Sequence, residues 1–331
     1  MVRQLSTLLI GSLLLVACGS TPTATPTAAP TATGANTTSF PLTIQHSKGE
    51  ITLEAPAQRV VALEWTYVEN LLALGVQPVG VADIENYHKW VRIPAELDPN
   101  VRDVGTRQQP NLEQIASLAP DLILVPAFRA DANYAELAAI APTLAFNPYP
   151  VDRSMTQFDE MRQTFTTIAQ AVGRESEGQA VLDRMDAQFA TLAEQIAKVA
   201  APQSPFVLAQ AYSGSNGAEI RLFTENALAV QIVERLGLSN SWGEPDQPYG
   251  FSTVNIEALP QLGETHFFYV VQDSDNIFAA ESVRPLWENM PFVQAGQAYA
   301  LGGDTWLFGG PLSAELLAET IAQRLLTESN Q

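Results

Sequence analysis

The sequence predicts an α/β protein of two similar lobes joined by one long helix. Three observations predict it. Strand-like and helix-like segments alternate from residue 59 onward. One phrase occurs twice, as PNLEQIASLAPDLILV at 110–125 and TVNIEALPQLGETHFFYVV at 253–271. Each copy carries Asn-Leu/Ile-Glu, then apolar residues at helical spacing, then an apolar run of strand length. The glutamates of the two copies, Glu113 and Glu257, lie 144 positions apart. Between the copies, Met155, Phe158, Met161, Phe165, Ile168 and Ala169 recur at three- and four-residue steps and Gly173 closes the pattern. That spacing predicts one helix over 152–173, about six turns at 3.6 residues each.

The elements follow in order. RVVAL (59–63) reads as a strand. Thr66-Tyr67-Val68-Glu69 fits a capping box, in which Thr and Glu satisfy orphan amides at a helix start, and Gly75 supplies a stop. PVGVAD (78–83) is strand-like, Asn111 caps a short helix, and DLILVPA (121–127) and PTLAF (142–146) are strands. Such alternation argues a parallel sheet covered by helices. After an amphipathic helix near 175–199 the pattern resumes with PFVLAQAY (205–212), a helix in 225–237, THFFYVV (265–271) and QAYALGG (297–303). The last helix, in PLSAELLAETIAQRLLTE, reads as opened by Ser313.

The front of the chain reads differently. Arg3 precedes an apolar run, LLIGSLLLVA (8–17), too short to span a bilayer, which needs about 20 residues. Basic flank, short run and small terminal residues read as a secretory signal. Leu15-Val16-Ala17-Cys18 then resembles the lipobox of bacterial lipoproteins, which implies acylation of Cys18 and removal of what precedes it. Residues 20–39, STPTATPTAAPTATGANTTS, carry no charge and almost no bulky side chain, the composition of a tether. The expected organisation is a signal (1–17), an acylated cysteine and tether (18–40), a first lobe (41–151), the joining helix (152–173) and a second lobe (174–331).

Net charge is −19, which disfavours nucleic acid and anionic lipid headgroups. Cys18 is the only cysteine, so no internal disulfide forms despite export. In open α/β sheets, ligands lie beyond the carboxyl ends of the strands. Those loops are EWTY (64–67), DIENYHKW (83–90), GTRQQ (105–109) and AFRAD (127–131) in the first lobe. In the second they are YSGSNGAE (212–219), QPYGF (247–251), QDSD (272–275) and DTWLFGG (304–310). The candidate ligand contacts are Arg107, Arg129, Tyr249, Trp306, Trp90 and Arg221. Guanidinium forks grip carboxylate, hydroxamate or catecholate oxygens bidentately. Signals for catalysis are poor. His46, His88 and His266 are scattered, without metal-ligand spacing, so no metal centre is expected. Ser215 lacks the glycine two places before it that a nucleophile elbow needs, and no Walker or GxGxxG loop occurs.

Three stretches, RVVALEWTYVENLLALGVQPVGVAD, VGTRQQPNLEQIASLAPDLIL and WLFGGPLSAELLAETI, resemble the substrate-binding lipoproteins of bacterial iron–siderophore ABC importers, relatives of the ferrichrome-, ferric-citrate- and cobalamin-binding proteins. The resemblance runs from about residue 55 to about 326. It implies the helical-backbone periplasmic binding protein fold, with a rigid joining helix and a shallow cleft between lobes. It implies a receptor, not an enzyme, that is exported, lipid-anchored and monomeric. Such a receptor delivers a ferric siderophore to an ABC permease dimer and uses no cofactor. By the resemblance, Arg107 holds the iron-ligating oxygens and Tyr249 replaces a tryptophan of the ferrichrome binders. Where those proteins have an assisting tyrosine, this chain reads PAFRA. The extra arginine, Arg129, favours a more anionic ligand such as ferric citrate or a carboxylate siderophore over a hydroxamate. Glu113 and Glu257 match the residues that dock into the permease, although an acid in a first helical turn also complements the helix dipole by about 0.3–1 kcal/mol. Two other readings stay open: cobalamin or haem as ligand, with Tyr67, Tyr87 or His88 as an axial residue, and an exported hydrolase using Ser215.

Overall fold

The computed structural model describes residues 38–150, 155–214 and 217–328. The expected signal, Cys18, most of the tether, the start of the 152–173 segment and Ser215 lie outside them. The first lobe holds a five-stranded parallel sheet in the order Arg102–Asp103, Gly80–Val81, Val60–Ala62, Leu122–Pro126, Thr143–Phe146. Every residue of Leu122–Pro126 is buried. A strand covered on both faces by helices requires this, which is why its sequence is a continuous apolar run and not an alternation. A hairpin of Leu42–His46 and Gly49–Leu53 precedes this sheet. It was not legible in the sequence, because each strand buries one residue, Ile44 or Leu53, among polar ones.

The second lobe departs from the parallel expectation. Its sheet runs Phe251–Val254, Gly217–Phe223, Pro205–Gly214, His266–Val270, Ala298–Ala300, with Ser239–Asn240 beside Pro205–Gly214. Gly217–Phe223 is antiparallel to both neighbours, so the sheet is mixed. Only two positions separate it from Pro205–Gly214, and a connection that short can only reverse the chain.

The joining helix is Gln157–Ala171, shorter than the periodicity suggested. Thr156 opens it by accepting from the Asp159 amide. Helix Glu175–Ile196 follows almost at once. The largest cluster of buried apolar side chains runs unbroken through both lobes, from Val60 through Phe165 and Ile168 to Phe268 and Leu317. The lobes therefore share a core and are not tethered beads.

Two expected helix starts are corrected at the seam between helix Trp65–Ala73 and helix Pro311–Glu328. Thr66 and Glu69 do not form a capping box. The cap of the first helix is Glu64, whose carboxylate accepts from the Trp65 amide. The Thr66 hydroxyl donates instead to the Phe308 carbonyl at 2.6 Å. Ser313 lies inside the last helix, which opens at Pro311. Its amide and hydroxyl both donate to the fully buried Glu69 carboxylate, at 2.7 and 2.6 Å. Glu69 thus caps a helix of the other end of the chain. Burial pushes its carboxyl above the usual range and the Ser313 bonds oppose the shift. A carboxyl raised in this way contributes stability below the ordinary carboxylate range and loses it as pH climbs. Gly309 and Gly310 make the approach: a Cβ on Gly310 would lie 2.1 Å from Asn70 Oδ1, and one on Gly309 2.6 Å from Glu69 Oε2.

Glu69→Ala should lower unfolding stability by about 3 kcal/mol, since two buried donors lose their acceptor at roughly 1–3 kcal/mol each. Gly310→Ala should destabilise by about 1–3 kcal/mol through overpacking. Urea denaturation checks both, and values within about 0.5 kcal/mol of the parent would mean that the seam is held elsewhere.

Candidate functional site

A cavity of about 420 Å³ opens between the lobes. Its first-lobe wall comes from the carboxyl ends of the parallel strands. The loop after Arg102–Asp103 is pinched shut by a bridge between Gly105 and Pro110 and by the Asn111 amide on the Val104 carbonyl. Gly105 sits at φ +93, where a Cβ would also press on the backbone of Gln109 and Asn111, so only glycine fits. The tight loop throws Arg107 inward. Its guanidinium carbon lies 3.4 Å from the centre of the Trp65 ring. Trp65 is itself fixed by its indole N–H on the carbonyls of Ala82 and Asp83.

Glu64 organises the rim. One carboxylate oxygen accepts from Arg107 Nη1 at 2.7 Å, and the other lies 3.0 Å from Arg129 Nε. All three side chains are largely buried, at 11–19% exposure. Removing charges from water is expensive, so two arginines here need the carboxylate between them. Asp83 Oδ2 also lies 3.9 Å from Arg107 Nε, a second counter-charge beside the pair.

Two of the four expected second-lobe loops build the other wall: QPYGF brings Tyr249 and Phe251, and DTWLFGG brings Trp306, Phe308 and Gly309. QDSD and the described residues of YSGSNGAE do not line the cavity. Because Gly217–Phe223 runs antiparallel, the lobe offers a sheet face here and not a row of carboxyl ends. Arg221 projects from that face, donates to Gln210 Oε1 at 3.0 Å, and sits 4.5 Å from the Phe251 ring centre. Tyr249 is half exposed at the mouth. Its ring lies 5.2 Å from Tyr149 and 6.2 Å from Phe128, so aromatic contacts from both lobes meet there. The Trp306 ring packs edge-on against Trp65 at 5.1 Å.

Of the cavity floor, the sequence pointed only to Tyr67. Tyr67 and Asn70 come from the first lobe, and Gln157, Glu160 and Thr164 come from the joining helix. The Tyr67 hydroxyl, both Asn70 amide atoms, Gln157 Nε2 and Trp306 Nε1 are buried without a hydrogen-bond partner. Glu160 accepts the Thr164 hydroxyl at 2.6 Å, and burial pushes its carboxyl up to about 7. Gln157, Glu160 and Thr164 recur at helical spacing outside the apolar pattern of this segment, and the cavity above them makes them site residues.

The structure therefore brings together Arg107, Arg129, Arg221, Tyr249 and Trp306 around one cavity. Trp90 is the exception. It ends helix Ile84–Trp90 and packs, partly buried, on the main core instead of lining the cavity, because that helix carries the chain away from the strand end. Of the axial candidates for haem, Tyr67 reaches the cavity, whereas Tyr87 and His88 do not. Among the described residues, no group of three or more His, Cys, Asp or Glu side chains could hold a metal ion.

Glu113 and Glu257 stand apart from the cavity, exposed in the first turns of helices Leu112–Ser117 and Ile256–Leu262. The repeated phrase folds into two helix types. Asn111 accepts from the Gln114 amide at the head of an α-helix, whereas the second copy is a 3₁₀ helix. Pro260, where the first copy has Ala116, removes an amide and crowds the preceding turn.

Comparison with known proteins agrees with this architecture. The chain is 29% identical to the Fe(3+)-citrate-binding protein YfmC of Bacillus subtilis over 98% of this chain and 97% of that protein. It is 30% identical to the iron(3+)-hydroxamate-binding protein FhuD of Escherichia coli over 77% of this chain and 83% of that protein. Among solved structures, Fe3+–Desferal-bound siderophore-binding protein FhuD from Vibrio cholerae aligns with a TM-score of 0.71 and 32% identity, covering 81% of this chain and 98% of that one. The family model described as periplasmic binding protein matches residues 60–305, which takes in both lobe sheets, the joining helix and most of the cavity wall, and on that match the chain belongs to the periplasmic binding protein family.

Proposed function

We propose that this protein captures a ferric siderophore outside the cytoplasmic membrane and delivers it to an ABC permease, without chemical change to the cargo. The observation that carries the reading is the convergence of Arg107, Arg129 and Arg221 on one inter-lobe cavity with Glu64 as the shared counter-charge. Such a rim suits an anionic, oxygen-rich chelate: ferric citrate or another carboxylate type first. A hydroxamate chelate is the second reading, favoured by the 32% identity to the Desferal-bound protein. Iron is cargo here. It stays inside its chelate while guanidinium forks and aromatic faces hold the organic shell.

The remaining parts of the proposal rest on sequence. Residues 1–17 direct export, Cys18 carries the lipid, residues 18–40 tether the binding body, and the protein works as a monomer on the outer face of the membrane. Among the described residues, no helix is long and apolar enough to cross a membrane. Glu113 and Glu257 dock one permease subunit each. Their exposure in matching first turns supports the assignment.

Quenching of tryptophan fluorescence by ferric citrate, ferric hydroxamates, cobalamin and hemin tests the cargo. Saturable binding of ferric citrate is expected; a Soret band with hemin and no response to ferric chelates would overturn the reading. Arg107→Ala should weaken ferric-citrate binding by about 1.5–3 kcal/mol, the scale of a charged hydrogen bond, and an unchanged affinity would misplace the site. Charge reversal of Glu113 together with Glu257 should abolish cellular uptake of labelled iron and leave ligand affinity intact. Equal loss of affinity would make these residues part of the ligand site.

A further inference from the structure

The floor of the cavity does different work from its rim. Four hydrogen-bond donors face it without partners: the Tyr67 hydroxyl, the Asn70 amide, Gln157 Nε2 and the Trp306 indole N–H. Tyr67, Asn70 and Gln157 are at most 6% exposed. Leaving such groups unpaired costs roughly 1–3 kcal/mol each, so a fold that gathers them has a use for them. The set is rich in donors and carries no positive charge. Asn70 Oδ1, also without a partner, is an acceptor that an ammonium arm could meet, but such an arm has no acceptor capacity and would leave all four donors unmet. A carboxylate offers up to four lone-pair sites to the same donors. Gln157 is positioned for this, since its own carbonyl is occupied by the Leu228 amide, which turns its N–H₂ away.

The obstacle is Glu160, which lines the same floor. Two ionised carboxylates in one buried space repel, and such pairs share a proton. The other charged or titratable groups that line this cavity are Tyr67 and Glu64 from the first-helix region, Arg107, Arg129 and Tyr149 from first-lobe loops, and Arg221 and Tyr249 from the second lobe. Arg107 and Arg129 are paired with Glu64, Asp83 lies beside Arg107, and Arg221 donates to the neutral Gln210 amide. Burial, opposed only by the Thr164 hydroxyl, governs Glu160 and brings its titration to about 7.

We propose that Tyr67, Asn70, Gln157 and Glu160 form a second ligand subsite that takes a carboxylate arm of the chelate against a protonated Glu160, so that capture of the cargo takes up a proton. The proton comes from solvent and rests between the Glu160 carboxyl and the arm; no bond in the chelate breaks. The inference rests on the anionic-chelate reading above. It makes the joining helix a specificity element as well as a spacer.

Calorimetric titration of the whole protein with ferric citrate, in buffers of different ionisation enthalpy at pH 7, counts the protons taken up. The parent should take up about half a proton per chelate more than Glu160→Gln, which cannot titrate. From pH 7 to 8 the parent should lose up to about fivefold in affinity relative to that variant. Tyr67→Phe should weaken ferric-citrate binding about tenfold without lowering the unfolding midpoint, because the lost hydroxyl had no partner in the protein. It keeps the test decisive if Glu160→Gln folds poorly. Arg107→Ala should weaken binding and leave the proton count as in the parent. Equal proton counts for the parent and Glu160→Gln, or unchanged affinity in Tyr67→Phe, would overturn the subsite while the proposed function stands. Proton release on binding would put a cationic arm on the floor and also overturn it. Failure of every ferric chelate to bind would overturn both.

Discussion

The arrangement of the cavity depends on one buried carboxylate. Glu69 leaves the first lobe's leading helix and closes the amino end of the last helix of the chain, 244 residues away. A helix start exposes unpaired amides with partial positive charge, and an anion is the natural partner for them. Usually that anion is local. Here it belongs to another element, so two distant segments are locked at hydrogen-bond precision. The glycine pair at 309–310 is the steric half of the same lock, because no side chain fits between that turn and Asn70. Just before this turn the chain supplies Trp306 and Phe308 to the cavity. The site is thus framed by the contact that holds the lobes together, and a shared apolar core continues that frame through the joining helix.

Within the frame, charge is handled in two ways. At the rim, Glu64 holds Arg107 and Arg129 in place, with Asp83 as a second carboxylate beside Arg107. Stacking on Trp65 fixes the plane of the Arg107 guanidinium, and a planar donor fixed beforehand loses less freedom when it meets planar oxygens. At the floor, Glu160 sits too deep for easy ionisation. A strong counter-charge at the rim and a weak, titratable one below make the cavity polar along its depth.

The repeated phrase shows how far internal resemblance reaches. Both copies place an exposed glutamate in the first turn of a helix that leads to a central strand. One proline then makes the second helix 3₁₀, and the second sheet admits an antiparallel strand that the first lacks. The lobes therefore offer a ligand different surfaces: strand ends on one side, a sheet face on the other. The shared feature, the exposed glutamate, is on the outside.

Sequence alone determined the alternation of strands and helices, the two-lobe plan and most of the rim. Those features are local: buried parallel strands must be continuously apolar, and tight loops after them declare themselves by glycine and polar residues. Arg107, Arg129, Tyr249 and Trp306 were therefore legible as loop residues before any coordinates. Tertiary structure decided the rest. Glu69 and Ser313 look like ordinary capping residues until the chain brings them together. Trp90 reads as a loop aromatic until its helix carries it off. Gln157 and Glu160 stand outside the apolar pattern of their segment, and the cavity above them makes them site residues. Each of these depends on which distant segment covers a residue, and a spacing pattern encodes a residue's own face but not what is folded against it.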